Sequence, residues 1–210
     1  NGVSEEFVPF DEAALAQARE NFGISKDEKV IAFVGNLSAV KNVMALPGIY
    51  KSVVQIYEEK YPADSLHFVI AGDGKLMDTL RKALHTLDQD KPKTKVTLYG
   101  NLDPEVMPAL MNCIDVLVLP SLNEGLPLVC AEALRCGANV VGSDVGGIAE
   151  VIGHENVVPL GDGFEKNMAE KIVQMLSDKP SQPLPSYISW EKTSEIELSH
   201  LQSAELLGKS

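Results

Sequence analysis

Short runs of β-branched and aliphatic residues alternate with segments of helical periodicity along almost the whole chain. This alternation is typical of a parallel sheet that is covered by helices on both faces. The runs are continuously apolar, as expected for strands whose two faces are both buried. We therefore predict an α/β fold, a doubly wound parallel sheet of about six strands, at residues 30–35, 66–72, 95–100, 115–120, 139–143 and 156–160.

Helices are predicted between these strands, at 42–59, 75–87, 105–112, 127–136, 147–152 and 164–176, and one more precedes them at 11–22. Residues 1–180 are expected to form one domain. Prolines and serines at 180–185 predict a linker, and residues 190–207 predict a last helix. Because the chain starts at Asn1 rather than Met, we expect it to be a fragment of a longer protein.

Thirty acidic and eighteen basic residues give the chain a net charge of -12. Such a surface repels phosphate backbones, so nucleic acid is not an expected partner. A small anionic ligand needs a local device such as a helix N-terminus or a placed lysine. No apolar run is long enough for a transmembrane segment, and three cysteines without metal-ligand spacing favour a reducing cytoplasm.

The segment that follows the fourth strand carries the strongest signal for function. It runs Pro120-Ser121-Leu122-Asn123-Glu124-Gly125-Leu126-Pro127-Leu128-Val129-Cys130-Ala131-Glu132. A strand ends here, a glycine turn follows, and Pro127 is expected in the first turn of a helix. The amides of Gly125, Leu126, Leu128 and Val129 are then expected to form an anion site at the helix N-terminus.

Two glutamates stand at this turn and on the helix that follows it. Glu124 either binds a ligand or caps the helix start, since acidic residues are common in first turns. Glu132 lies among apolar neighbours, where a carboxylate is costly to bury unless something bonds to it. Its side chain should lean toward the helix start, where it can accept hydrogen bonds from ligand hydroxyls; otherwise it lies on a solvated stripe.

With its flanks, this segment resembles the donor domain of the family 4 retaining glycosyltransferases, which have the GT-B fold and carry two glutamates with seven residues between them. Glu124 and Glu132 have that spacing. The resemblance extends from Asn1-Gly2-Val3 to Ser189-Trp190-Glu191 and includes the glycine-rich stretch at 136–152. It implies that this chain is one Rossmann-like half of a GT-B fold, and that the linker and C-terminal helix at 181–210 cross to a missing N-terminal domain.

Other segments match the loops that line the donor in this family. Gly74 and Asn101 correspond to the loops after its second and third strands. Lys41 keeps the lysine of its first loop, whereas Asn36 stands where an arginine is usual. Loss of a guanidinium removes a contact worth about 1.5–3 kcal/mol, so another residue supplies it or turnover is weak. Lys41 is otherwise a surface lysine near a helix start.

The resemblance implies a domain that binds a nucleotide diphosphate sugar, UDP- or GDP-linked, for retaining hexosyl transfer. Lys41 and Glu124 are the implied catalytic residues. Donor binding is implied for Asn36, Gly74, Asn101, Gly125, Leu126, Leu128, Val129 and Glu132. No metal or cofactor is expected. Acceptor recognition belongs to the missing domain, so the isolated chain should not transfer sugar, and it should be cytoplasmic, with membrane contact only through that domain.

Two alternatives stay open. A sugar-nucleotide epimerase uses the same paired domains, and a noncatalytic nucleotide-sugar-binding module is favoured by Asn36. Nicotinamide and flavin dehydrogenases are disfavoured because the glycine turns lack the dinucleotide spacing. The four histidines are scattered without an evident acid partner, and His67, within a predicted strand, is expected to be a hydrogen-bonded core histidine.

Overall fold

The structure, a computed structural model, describes residues 3–89 and 93–177. The linker at 180–185 and the last helix at 190–207 lie outside the described residues. Both therefore stay predictions, as do the domain limits at 180 and 181. No described helix is long and apolar enough to cross a bilayer.

Six strands form the sheet: β1 (Glu28–Val34), β2 (Ser65–Ala71), β3 (Thr94–Gly100), β4 (Val116–Leu119), β5 (Asn139–Ser143) and β6 (Val157–Val158). Their order is β3-β2-β1-β4-β5-β6, and every neighbouring pair is parallel. This confirms the predicted doubly wound, Rossmann-like sheet. The strand order reverses between β1 and β4, and ligands of such sheets bind beyond the carboxyl ends of the strands at this reversal.

The helices of the described residues are α1 (Glu12–Asn21), α2 (Leu46–Lys60), α3 (Met77–Gln89), α4 (Met107–Asn112), α5 (Leu128–Arg135), α6 (Ile148–Ile152) and α7 (Phe164–Ser177). On one side, α2 contacts α3 and α7. The other helices form a second group, in which α4 contacts α1 and α5, and α5 contacts α6. These two groups form the helical layers that the continuously apolar strands require.

The helices predicted at 42–59 and 105–112 each start with a short 3-10 turn, so their α-helical parts begin later than the sequence indicated. Asn42 adopts a left-handed conformation (φ 50°, ψ 38°), and a short 3-10 turn at Val43–Ala45 separates it from α2. A similar turn at Pro104–Val106 precedes α4. Prolines then lie near the starts of both α-helices, where a missing N–H group leaves no hydrogen bond unmade.

His67 of β2 is fully buried and hydrogen-bonded, as predicted for a core histidine. The expectation that it lacks an acid partner is wrong. Its Nδ1 lies 3.3 Å from Oε2 of Glu28 on β1, and its Nε2 lies 2.8 Å from Oγ1 of Thr97 on β3. Parallel pairing across three strands brings these distant residues together, and the chain order alone does not reveal that contact.

Backbone hydrogen bonds join the loops at the carboxyl edge of the sheet. The N–H of Leu37 donates to the Asp73 carbonyl (2.9 Å), which ties the loop after β1 to the loop after β2. The N–H of Leu122 donates to the Val40 carbonyl (2.8 Å), which ties the loop after β4 to the loop after β1. The loops after β1, β2 and β4 are therefore held together next to the point where the strand order reverses.

Candidate functional site

Lys41 and Glu124 meet at the carboxyl edge, between β1 and β4. The Lys41 Nζ lies 2.5 Å from Glu124 Oε1. Only 27% of the lysine side chain and 10% of the glutamate side chain are exposed, so solvent screens this pair less than an ion pair at the surface. The backbone bond from Leu122 to Val40 holds the two loops at the separation that this contact needs. The structure thus brings the two predicted catalytic residues into direct contact.

Ser121, which the sequence reasoning did not select, also binds this carboxylate. Its hydroxyl donates to Glu124 Oε1 at 2.7 Å. The hydroxyl of Ser143, at the end of β5, in turn donates to the Ser121 carbonyl. Both serines are fully buried. The one available signal in the sequence is the spacing of Ser121 and Glu124, because serine side chains often bond to groups a few residues away in turns.

The loop between β5 and α6 packs tightly against the Glu124 segment. The N–H of Gly147 donates to the Gly125 carbonyl at 2.9 Å. Gly146 has φ 54°, and a side chain there would overlap the Glu124 carbonyl. Glycine is needed at this position for both conformation and space. The glycine-rich stretch that follows β5 therefore supports the backbone that carries Glu124.

Helix α5 begins at Leu128, and Pro127 is its N-cap with extended backbone (φ -78°, ψ 96°). Pro127 was expected to be the first residue of the helix; its extended backbone makes it the N-cap instead, and its carbonyl accepts a 3.1 Å bond from the Cys130 N–H. Within the described part of the chain, the N–H groups of Gly125, Leu126, Leu128 and Val129 donate no hydrogen bond. Unpaired amides at a helix N-terminus favour an anion.

Glu132 lies in α5 and is half-buried. Burial raises the pKa of its carboxyl. Its carboxylate makes neither a hydrogen bond nor an ion pair with any residue in 3–89 or 93–177. A partly desolvated carboxylate without a donor is costly, and a ligand with hydroxyl groups would lower that cost.

The pKa of the buried Cys130 thiol is affected by both glutamates. Burial raises its pKa, and Glu124, Lys41 and Glu132 all exert further charge effects on it. The three charged groups therefore lie within electrostatic range of one thiol.

The remaining predicted residues lie on the loops after β1, β2 and β3. Asn36 is exposed, and its side-chain oxygen lies so close to Gly74 that a Cβ at position 74 would overlap it. Asn101 is exposed directly after β3. The structure thus brings Asn36 and Gly74 together, and Asn101 lies one strand further from the reversal point.

A cavity of about 720 Å³ lies beside this site, where the starts of α2 and α7 meet. Asn42 and Leu122 line it, each next to the segments that hold the Lys41–Glu124 pair, together with Leu160 and the first residues of α7. None of the predicted site residues is part of its lining. Among the described residues, no group of three or more histidine, cysteine or acidic side chains is arranged to hold a metal ion.

Residues 28–178 match the family described as "Glycosyl transferases group 1". This chain belongs to that family. The match begins at β1 and extends one residue past α7, so it covers all the elements that build the site.

Curated relatives agree with this assignment. The chain is 30% identical over 177 residues to a D-inositol 3-phosphate glycosyltransferase of Corynebacterium urealyticum, with 83% of this chain and 41% of the relative covered. It is 28% identical over 166 residues to an N-acetyl-alpha-D-glucosaminyl L-malate synthase of Bacillus anthracis, with 79% and 40% covered. The chain thus spans about two-fifths of the length of these relatives.

Solved glycosyltransferase structures share the fold. The crystal structure of Anabaena HepE in complex with UDP-glucose superposes with a TM-score of 0.65 at 21% identity and covers 85% of this chain and 46% of that chain. At this identity the likeness shows the fold alone. It places the described domain among the Rossmann-like halves of GT-B glycosyltransferases.

Proposed function

We propose that this chain is the donor-binding half of a retaining hexosyltransferase of family 4, and that it binds a nucleotide diphosphate sugar. The observation that carries the proposal is the Lys41–Glu124 contact, next to the unpaired amides at the start of α5. Both lie at the reversal point of the sheet, where such folds bind nucleotides. A cation and a helix N-terminus supply the local positive potential that a chain of charge -12 otherwise lacks.

Lys41 has a role at the leaving group in this proposal. An ammonium group has three donors, so Lys41 can keep its bond to Glu124 and still donate to a phosphate oxygen. Together with the amides of Leu128 and Val129, it would stabilise the negative charge that develops on the departing diphosphate. Fixed donors of this kind need no metal or other cofactor, and the proposal includes none.

The two glutamates have separate partners in this proposal. Glu124 would accept hydrogen bonds from hydroxyl groups of the transferred sugar, with the amides after it close by. Glu132, half-buried and without a protein donor in the described part, would accept from the ribose hydroxyls. Asn36, Gly74 and Asn101 would line the nucleotide from the loops after β1, β2 and β3.

Acceptor binding is proposed to need a second, N-terminal domain. The relatives are more than twice as long as the matched part of this chain, which supports that proposal. We expect the 210 residues alone to bind donor without transferring sugar. The three cysteines are buried and free, which supports a reducing compartment such as the cytoplasm.

Titration calorimetry with UDP, UDP-glucose, GDP and GDP-mannose tests donor binding directly. We expect one nucleotide pair to bind, with the sugar nucleotide gaining affinity over the bare diphosphate. UDP-glucose is the first probe because the structural neighbour HepE was crystallised with it. A protein that binds none of the four contradicts the proposal.

A noncatalytic nucleotide-sugar-binding module stays the second candidate, because Asn36 offers no positive charge to the diphosphate. Product analysis of the full-length protein with radiolabelled donor separates the two. Transfer or donor hydrolysis supports the transferase, whereas binding without any product supports the module. Family membership favours a transferase over an epimerase, and an epimerised product would reverse that preference.

A further inference from the structure

Two donors bind the same oxygen of Glu124. Lys41 Nζ and Ser121 Oγ lie 2.5 Å and 2.7 Å from Oε1. No residue in the described part of the chain donates to the other oxygen, Oε2. The carboxylate is therefore held through one oxygen, and the second is left with its acceptor capacity unused.

Ser121 is itself held in place. It is fully buried, it directly follows Pro120 at the end of β4, and the Ser143 hydroxyl binds its carbonyl. Its hydroxyl belongs to a side chain with one rotatable bond, whereas Lys41 reaches Glu124 through a flexible four-carbon chain. The serine thus supplies the more rigid of the two contacts.

We propose that Ser121 is a positioning residue, which fixes the Glu124 carboxylate through Oε1 so that Oε2 is presented to a hydroxyl group of the donor sugar. This inference rests on the proposed function and adds to it a residue that sets the strength of sugar binding. Ser121 acts through Glu124 and makes no contact with the nucleotide.

The physical basis is rotation of the carboxylate. The terminal torsion of glutamate is broad and nearly two-fold, so a lysine alone can bind either oxygen. A second, rigid donor on Oε1 removes that freedom before the ligand arrives. A preorganised acceptor loses less entropy on binding and discriminates more strongly between hydroxyl orientations than a rotating one.

Calorimetry with the 210-residue chain tests this through the difference between UDP and UDP-glucose. In Ser121→Ala, we expect the affinity for UDP-glucose to fall about tenfold while that for UDP changes by less than about twofold. Ser65→Ala is the control, because it removes a half-buried hydroxyl at the start of β2, on the opposite edge of the sheet from Glu124. It should retain the gain in affinity that the sugar provides.

Proton NMR gives a second measurement that needs no ligand. A buried hydroxyl on a carboxylate exchanges slowly, so the Ser121 hydroxyl proton should be visible and shifted downfield. It should disappear in Ser121→Ala and move upfield in Glu124→Gln, because a neutral amide oxygen is a weaker acceptor. A merely structural serine would show no response to Glu124→Gln.

The outcomes separate this inference from the proposed function. If wild-type protein gains affinity from the sugar and Ser121→Ala keeps that gain, only the inference is overturned. Equal loss in Ser121→Ala and Ser65→Ala also overturns it, because the effect then comes from reduced stability of the whole domain. If wild-type protein binds neither UDP-glucose nor GDP-mannose, the proposed function fails, and the inference fails with it.

Discussion

The Lys41 Nζ and the Glu124 Oε1 lie 2.5 Å apart although 83 residues separate them in the chain. The positive charge that an anionic ligand needs is thus already paired in the structure. A diphosphate must share Lys41 with Glu124 or displace it. Because an ammonium has three donors, sharing costs less than breaking a partly buried pair.

Replacing Lys41 by alanine should weaken binding of UDP and of UDP-glucose by similar factors. A charged hydrogen bond is worth about 1.5–3 kcal/mol, so we expect a loss of roughly ten- to a hundredfold for both ligands in calorimetry. Lys51→Ala is the control, because Lys51 is exposed on α2. A loss confined to UDP-glucose would contradict a role for Lys41 at the diphosphate.

Replacing Glu124 by glutamine should weaken binding of UDP-glucose but not of UDP, unlike the replacement of Lys41. The bare diphosphate should bind as well as before or somewhat better, since Lys41 loses a competing anion. UDP-glucose should lose about tenfold, because an amide presents one acceptor oxygen instead of two. Glu12→Gln, at the exposed start of α1, is the control. Equal effects on both ligands would mean that Glu124 does not distinguish the sugar from the diphosphate.

Adding a cation at position 36 should strengthen diphosphate binding. Asn36 is exposed beside Gly74, so an arginine fits there without entering the core. Because the site is exposed, we expect a gain of only about three- to tenfold in UDP affinity at low salt, decreasing as salt screens it. Asn21→Arg, at the exposed end of α1, adds the same charge elsewhere and controls for net charge. A gain of similar size in Asn21→Arg would mean that the higher UDP affinity comes from the net charge of the whole chain and not from a contact at position 36.

The fold could be predicted from sequence because its signals are local. The bounds of β5 were predicted without change, since glycines at 137 and at 146–147 mark the turns on either side of its two valines. The strand β6 is shorter than predicted: residues 156–160 contain only two that pair with β5. Sequence pattern marks apolar runs, but pairing also depends on where the neighbouring strand ends, and β5 ends at Ser143, which pairs with Val158.

The site was predictable only in part, because its contacts cross the chain. Lys41 and Glu124 were both selected, yet nothing in the sequence indicated that they bind each other. Ser121 was missed because a serine after a strand is common in turns and needs no ligand to explain it. Its importance depends on a local contact with Glu124 and on the bond from Ser143, and the Ser143 bond exists only once β4 and β5 are paired.

His67 should make the protein less stable in mild acid. Burial lowers the pKa of its imidazole below 6.5, against the opposing effect of Glu28. The unfolded chain therefore binds a proton more readily than the folded one, and the free energy of unfolding falls as pH drops below 6.5. Urea denaturation between pH 7.5 and about 5 measures this dependence.

His67→Gln keeps side-chain hydrogen-bonding groups but cannot titrate, so it should lower stability at pH 7 and flatten the decline in acid. The exposed His85→Gln is the comparison. An equally steep decline in His67→Gln would assign the acid sensitivity to another group.

Glu132 should make the protein less stable as pH rises, whereas His67 makes it less stable as pH falls. Burial raises the pKa of its carboxyl above 4.5, so the folded state holds its proton to higher pH than the unfolded state. The free energy of unfolding should then fall as pH rises from about 4.5 toward neutrality. Glu132→Gln removes this dependence, and urea denaturation should find it more stable than wild type at pH 7, with a smaller difference near pH 4.

Loss of the Glu132 carboxylate should weaken ligand binding, although it should increase the stability of the folded protein. If its carboxylate accepts hydrogen bonds from the ribose, Glu132→Ala weakens UDP and UDP-glucose alike, by about 1.5–3 kcal/mol, although the folded protein becomes more stable. Comparing UDP with 2'-deoxy-UDP isolates the contact: wild type should prefer the ribose form, and Glu132→Ala should not. Glu170→Ala, an exposed residue of α7, serves as the control. If Glu132→Ala keeps the preference for ribose, Glu132 does not bind the ribose, and its carboxylate lowers stability without contributing to ligand affinity.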